Sequence, residues 1–281
     1  MTERLEEHRD SGVEKNLAPV RIFNFRHSKA MYGPYDEKLG SEKPTGSINP
    51  EEQPLMDLTP EGIVHAEQEA KKFLNRLNPA DDTLFVVSSD EVRALQTAHI
   101  YIKEALGLGF KVEKHERTGT DIARKIGEGY VRSLDSLSLH DSDMFEDTVF
   151  NPHHLMPGIG HINWDVISLE LKEKWEQARA MILADDKGSW GANFFAHAKA
   201  VSAIFPHVRT PEKLHERQYQ NLLRLAEFAK KKASSVGRIN VLSFGHESYM
   251  GYALEQDTGH HALANCEAVE LTDVKLTRLE L

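Results

Sequence analysis

The stretch Val20-Arg21-Ile22-Phe23-Asn24-Phe25-Arg26-His27 decides how the fold begins. Its first six residues are mostly apolar, and β-branched or aromatic, which predicts a buried β-strand. Arg26 and His27 follow the apolar run directly. In open α/β sheets, ligands bind outside the carboxyl ends of the strands. We therefore expect this cation and this imidazole to lie at a ligand-binding edge.

Two later segments repeat the arrangement of an apolar strand followed by a basic or imidazole group. Residues 84–89 lead to Arg93, and residues 239–244 run through Gly245 to His246. Three predicted strands therefore each bring Arg or His to one rim of a sheet. Such a rim suits a phosphate, because the planar guanidinium fork matches phosphate oxygens.

Helical patterns separate these strands. Thr59 is a predicted N-cap with Pro60 at the first helical position, and this helix is expected to continue to residue 78. Ser89 is the predicted N-cap of the next helix, which places Arg93 in its first turn and ends it at Gly107. A short strand is expected at residues 111–113. The alternation of strands and helices predicts an α/β fold with a mainly parallel sheet.

The rest of the chain completes this layout. The pattern breaks in its middle, where two helical stretches among loops predict an inserted, mostly helical cap at about residues 132–208. A further helix from residue 210 leads back to the strand at 239, and residues 267–271 and 275–281 are predicted closing strands. We predict one three-layer α/β/α domain over residues 1–281, with residues 1–18 as an N-terminal arm.

Composition narrows the classes of function. The 281 residues are 40% hydrophobic and 28% charged, as in ordinary globular proteins. The net charge of −10 argues against a general nucleic-acid binder, although it permits a small cationic pocket. No apolar run is long enough for a membrane span, and there is no secretory signal. Cys266 is the sole cysteine, so a reducing compartment, the cytoplasm, is expected.

Four motifs occur in a fixed order along the chain. They are Phe25-Arg26-His27-Ser28, Leu58-Thr59-Pro60-Glu61-Gly62-Ile63-Val64-His65-Ala66, Ser88-Ser89-Asp90-Glu91-Val92-Arg93-Ala94-Leu95-Gln96-Thr97-Ala98 and Ser243-Phe244-Gly245-His246. Together they resemble the histidine phosphatase superfamily, also called phosphoglycerate-mutase-like. The resemblance covers residues 20–107 and 239–271 and implies a phosphoglycerate-mutase-like fold.

The resemblance also implies roles for particular residues. His27 would be the nucleophile that forms a phosphohistidine, with its other ring nitrogen held by a backbone carbonyl. Arg26, Arg93 and a cationic His246 would hold the phosphoryl oxygens and lower the pKa of His27. The two residues after the nucleophile, Ser28 and Lys29, are further candidates for substrate contact.

The general acid is implied by a looser match. Residues 121–129 resemble the superfamily's phosphatase element Glu-Ile-x-x-Gly-x-x-Glu-Gly, which makes Asp121 the expected proton donor and Glu128 the second choice. This role requires a raised pKa of the carboxyl group. Burial, which raises that pKa, must therefore outweigh the nearby arginines, which lower it.

One departure from the superfamily bears on the reaction. Phosphoglycerate mutases carry Gln-Ser-x-Trp-Asn after the nucleophile, whereas this chain has Lys29-Ala30-Met31-Tyr32-Gly33. The expected activity is therefore metal-independent phosphomonoester hydrolysis rather than mutase chemistry. A mutase-type phosphoryl transferase and an inactive phospholigand-binding module remain alternatives.

Expectations about ligands and partners complete the prediction. No cofactor is expected, and no metal, because the adjacent histidines 153–154 and 260–261 lack the spacing of a zinc site. The expected partner is a small-molecule phosphate ester, with no nucleic acid and no membrane. The oligomeric state is open, a homodimer included. The cap and the loop of residues 28–57 are expected to select the substrate.

Overall fold

A computed structural model describes the chain at residues 19–30, 58–134, 137, 164–184, 190–205, 208–232, 237–246, 263–271 and 276–278. The predicted N-terminal arm, residues 31–57 of the predicted loop, and much of the predicted cap lie outside these residues. The strands of the described part are β1 (Val20–Arg26), β2 (Asp82–Ser88), β3 (Lys111–Val112), β4 (Val131–Ser133), β5 (Arg238–Gly245), β6 (Ala268–Leu271) and β7 (Leu276–Arg278). Its helices are α1 (Pro60–Leu74), α2 (Val92–Gly107), α3 (Asp121–Gly127), α4 (Leu169–Leu183), α5 (Trp190–Ile204) and α6 (Pro211–Lys232).

The strands form one sheet in the order β3-β2-β5-β1-β6-β7, with β4 also beside β2. β1 to β5 run parallel to one another, whereas β6 pairs antiparallel with β1 and β7 pairs antiparallel with β6. The predicted mainly parallel sheet and the closing strands are therefore confirmed. In this register Arg26 pairs with Gly245, and Ser88 pairs with Phe244. The carboxyl ends of β2, β5 and β1 are consequently neighbours on one edge.

Helices cover both faces of the sheet, as the three-layer prediction required. Alternation along β1 explains this, because successive side chains point to opposite faces. Phe23 and Phe25 pack with Phe73 of α1 on one face. Ile22 joins a separate core with Leu222 of α6 on the other face. The core therefore lies on both sides of the strands whose ends carry the candidate site.

Helix ends agree with the sequence in one case and correct it in another. The Thr59 hydroxyl accepts from the Gly62 N–H, and Pro60 begins α1, as predicted. α1 ends at Leu74 rather than at residue 78, in a series of turns. The prediction of Ser89 as N-cap of α2 is wrong, because the N-cap is Glu91, which makes no side-chain capping bond.

The middle of the chain is partly as expected. α4 and α5 are the two helical stretches of the predicted cap, and they pack against each other. The short elements α3 and β4 were not predicted. β4 spans three residues, too few for a period to show, and it depends on pairing with β2.

Candidate active site

His27 lies immediately beyond β1, held from several sides. Its backbone N–H donates to the Gly245 carbonyl at 3.0 Å, which ties it to the end of β5. Its side chain is buried, and the Nδ1–H donates to the Ser28 carbonyl oxygen at 2.6 Å. Because a carbonyl can only accept, this bond fixes the proton on Nδ1. Nε2 therefore keeps its lone pair, as a nucleophilic imidazole requires.

The surroundings of His27 keep its ring neutral. Burial, and then the positive charge of Arg93, lowers the pKa of His27 to about 3. The bond to Ser28 acts in the opposite direction, and the charge of Arg26 adds a smaller lowering. At neutral pH the imidazole is consequently uncharged and able to attack an electrophile.

His246 places a second imidazole beside the first. It follows β5 directly, is nearly buried, and its ring centroid lies 5.2 Å from that of His27 with the planes at 68°. Its Nε2 lies 3.2 Å from the Ser89 hydroxyl oxygen, at the end of β2. Three strand ends therefore meet at this pair of histidines.

Two guanidinium groups complete the cluster. Arg26 ends β1, and its guanidinium donates to the Leu263 carbonyl. Arg93 lies in the first turn of α2, with 16% of its side chain exposed, and it contacts a carboxylate oxygen of Glu91 at 3.1 Å. Both charges act on the pKa of His27. The four groups predicted from separate motifs therefore lie together.

Ser28, the residue after His27, is held by hydrogen bonds within the protein. It is fully buried, and its hydroxyl donates to the Gly62 carbonyl at 2.7 Å. Its backbone N–H donates to the Thr97 hydroxyl at 3.0 Å. Since both groups are engaged by protein, Ser28 fixes the segment after the nucleophile between α1 and α2. Its predicted substrate contact stays a prediction.

The glycine of the second motif, Gly62, is required by a close backbone contact. A Cβ at this position would lie 2.2 Å from the Lys29 carbonyl oxygen, which is backbone and cannot move aside alone. The Thr59 N–H donates to the same carbonyl at 3.0 Å. The first turn of α1 therefore packs directly against the backbone next to His27.

The Lys29 side chain points away from this packing. It is 56% exposed, and its ammonium lies 2.7 Å from a carboxylate oxygen of Glu61, which is itself 80% exposed. An exposed pair of this kind contributes little to stability. The predicted substrate contact of Lys29 stays a prediction.

Neither candidate for the general acid has the burial that its role requires. The Asp121 side chain is 82% exposed at the start of α3 and bonds to Arg124 at 2.8 Å. The Glu128 side chain is 65% exposed, in a left-handed backbone conformation, with His99 3.7 Å away. The expectation that Asp121 is buried is therefore wrong.

Two residues of the third motif hold site residues in position, a role that the sequence did not reveal. Ser89 reaches His246, and Thr97 accepts from Ser28 while donating to the Arg93 carbonyl at 2.8 Å. Cys266 is fully buried, and its backbone N–H donates to the Arg26 carbonyl at 3.1 Å. Ser89 and Thr97 stand in the Ser-Ser and Gln-Thr-Ala parts of the third motif.

The described residues hold neither a cluster of metal ligands nor a membrane-spanning helix. Within the described ranges, no three His, Cys, Asp or Glu side chains are grouped so that they could hold a metal ion. The described helices include none that is both long and apolar enough to span a membrane. The histidine pairs 153–154 and 260–261 lie outside these ranges.

Comparisons with known proteins give matches in structure alone. No family model matches the chain, and no curated protein does. Similar solved structures include phosphoglycerate mutase from Bacillus anthracis str. Sterne (16% identity, 94% of each chain covered, TM-score 0.44). Phosphoglycerate mutase from Thermus thermophilus (13% identity, 93% of this chain and 99% of the other, TM-score 0.35) is a second. The product of Rv3214 from Mycobacterium tuberculosis (10% identity, 93% and 96%, TM-score 0.40) is a third.

The first two of these structures are named phosphoglycerate mutases, and the likeness of this chain to all three is one of fold alone.

Proposed function

We propose that this chain is a histidine phosphatase that hydrolyses phosphomonoesters through a phosphohistidine on His27, without a metal. The observation that supports this most is a buried, neutral imidazole whose Nε2 carries the lone pair, next to Arg26, Arg93 and His246. Phosphoryl transfer needs in-line positioning and stabilisation of charge spread over three oxygens. The cluster offers a nucleophile and several donors for that charge.

The reaction proceeds in two displacements. The Nε2 lone pair attacks phosphorus, the bond from phosphorus to the ester oxygen breaks, and that oxygen leaves with the bonding pair. Water then attacks the phosphoryl group, the P–N bond breaks, and inorganic phosphate is released with His27 neutral again. Arg26 and Arg93 stabilise both transition states through charge-assisted hydrogen bonds.

The exposure of Asp121 and Glu128 shapes the expected substrate preference. Neither carboxyl group is buried, so neither has the enclosed position that the role of general acid requires. A leaving group that needs no protonation, such as an aryl oxide, should therefore react best. Asp121→Asn is expected to change aryl phosphate turnover less than twofold.

The same exposure favours a second candidate, a module that binds phosphate esters without turning them over. Binding requires only Arg26, Arg93 and His246, and it needs no general acid. Hydrolysis of an aryl phosphate separates the two candidates, since the module would bind the ester and release no phenol.

The test is turnover of an aryl phosphate in EDTA, with and without vanadate, in water enriched in ¹⁸O. We expect metal-free hydrolysis, inhibition by vanadate, and one ¹⁸O in the released phosphate. Transfer of the phosphoryl group to an added alcohol instead of water would indicate a mutase-type transferase. A strict metal requirement would refute the mechanism, and ester binding without release would establish the binding module.

A further inference from the structure

A polar cavity lies beside the sheet, lined by none of the residues of the histidine pair. Its volume is about 440 Å³, and Arg117, Thr118, Arg124, Arg132 and Ser133 are among its lining residues. We call it the arginine pocket. Three arginines line it together with two acidic residues, Glu116 and Asp121, in a chain whose net charge is −10. Such a local excess of positive charge favours an anionic ligand.

The charges of the arginine pocket are only partly balanced by protein. Asp121 pairs with Arg124 at 2.8 Å. Arg117 and Arg132, by contrast, have no carboxylate within ion-pair distance in the part of the chain that the structure describes. The Arg132 guanidinium lies 5.2 Å from the centroid of the Phe228 ring, a cation–π contact that restrains its position.

The wall of the pocket is rigid. The Ser133 N–H donates to the Thr118 carbonyl at 2.7 Å, and the Thr120 N–H donates to the Ser133 hydroxyl at 3.1 Å. Gly119 has φ +95°, and a Cβ there would lie 2.2 Å from the Ser133 hydroxyl oxygen. A loop packed this closely on the end of β4 presents a preformed surface rather than a collapsible one.

The pocket lies on the same edge of the sheet as His27. Ser133 pairs with Ser88, so β4 ends beside β2, and β5 and β1 follow in order. Three strand spacings separate β4 from β1, which is about 14 Å. The Leu137 N–H donates to the Leu134 carbonyl at 3.0 Å, and the Leu137 carbonyl oxygen would lie 3.4 Å from a Cβ on Gly245, next to His246. The backbone close behind β4 therefore lies beside the end of β5 that carries His246.

We propose that the arginine pocket binds a second anionic group of the substrate, an inference that rests on the proposed phosphatase function. The preferred substrates are then phosphomonoesters that carry a carboxylate or a second phosphate at about 10–15 Å from the reacting phosphorus. Arg117 and Arg132 hold the remote group while His27 attacks the near one. The pocket acts on substrate affinity and not on the chemical step.

The test uses the full chain and a series of alkanediol bisphosphates of increasing length, each compared with the monophosphate of the same chain. We expect KM to reach a minimum at one length for the bisphosphates and to show no such minimum for the monophosphates. Arg117→Gln and Arg132→Gln should each raise KM about tenfold at that length, the loss of one charge-assisted hydrogen bond. Neither should change kcat for an aryl phosphate.

The matched control is Lys125→Gln, which removes an exposed positive charge from α3 outside the pocket. It should leave KM unchanged within twofold. Equal effects of all three substitutions on KM, or a KM that does not depend on chain length, would refute the proposal that the pocket binds substrate. If the protein still hydrolyses the aryl phosphate, the proposed phosphatase function is unaffected by that result. Should the protein hydrolyse nothing, calorimetric binding of the corresponding bisphosphonates decides: length-dependent affinity lost in Arg117→Gln supports the pocket, and length-independent affinity overturns it.

Discussion

The two ends of the parallel strands carry different buried polar groups: a charged carboxylate at the amino end and a neutral imidazole at the carboxyl end. At the amino end, the Asp82 carboxylate is buried and receives bonds from the Asn78 N–H at 2.7 Å, from Asn240 at 3.0 Å and from Arg238 at 3.0 Å. At the carboxyl end, the buried group is the His27 imidazole. The first end balances a buried charge with protein groups, so it stabilises the fold.

The pKa values express the same contrast. Burial alone would raise the pKa of Asp82, but its bonds to Asn78, Asn240 and Arg238 outweigh burial and lower it. At the other end, burial and Arg93 lower the pKa of His27 to about 3. A charged group surrounded by partners is a structural device, whereas a neutral nucleophile surrounded by positive charge is suited to an anionic ligand.

The largest expected effect is on turnover at the carboxyl end. His27→Ala should reduce phosphatase activity by about 10³-fold or more, because it removes the nucleophile. His65→Ala, on a solvent-facing part of α1, is the control and should keep full activity. The check is initial rates with aryl phosphate, together with circular dichroism to show that both variants fold. Substantial turnover by His27→Ala would place the nucleophile elsewhere.

The amino end should show the reverse pattern, a loss of stability without a loss of chemistry. Asp82→Ala should lower the free energy of unfolding by about 3 kcal/mol, since it leaves Asn240 and Arg238 without their partner. Asp81→Ala is the control, because Asp81 is exposed, and it should cost much less. Chemical denaturation measures both.

The pH dependence of this difference has a definite sign. The pKa of Asp82 is lowered from its ordinary value of 3.8 in the folded protein, so its stabilisation is present above that pH and is lost as the pH falls further. The gap between wild type and Asp82→Ala should therefore be constant from neutral pH to about pH 5 and shrink in stronger acid. If the difference in unfolding free energy between wild type and Asp82→Ala grows on acidification, the Asp82 carboxylate is not stabilised as described.

A smaller effect is expected where α1 packs behind the nucleophile. Gly62→Ala forces a Cβ against the Lys29 carbonyl, so it should cost about 2 kcal/mol of stability and also reduce kcat by shifting the backbone next to His27. Gly107→Ala is the matched control, because a Cβ at the end of α2 meets no atom within 4 Å. Unfolding midpoints and kcat for both variants, measured side by side, test whether this backbone position matters to the chemistry.

What the sequence could predict follows from how local each signal is. The strand runs that end at Arg26 and His246 are local patterns of burial, and parallel strands bring such ends together whatever the loops do. The prediction of Ser89 as the N-cap of α2 was wrong, because Ser89 bonds to His246, a partner 157 positions away along the chain. The exposure of Asp121 could not be predicted, because motif spacing does not specify which way a short helix turns its first residue.

The smallest expected effect is that of replacing Lys29, which was a candidate only because it follows His27 closely in the sequence. Lys29→Ala should change the free energy of unfolding by less than about 0.5 kcal/mol, because its pair with Glu61 is exposed. Turnover of a small aryl phosphate should stay within twofold. A large rise in KM would show that Lys29 reaches the substrate after all and would extend the cationic end of the sheet.

The most direct measurement is rapid mixing of the protein with a ³²P-labelled aryl phosphate, a quench in alkali, and mapping of the labelled peptide. A phosphoryl group on Nε2 of His27 is expected, formed at the rate of phenol release and absent in His27→Ala. Label on another residue, or steady phenol release with no labelled protein at any time, would contradict the proposal that the end of β1 supplies the nucleophile.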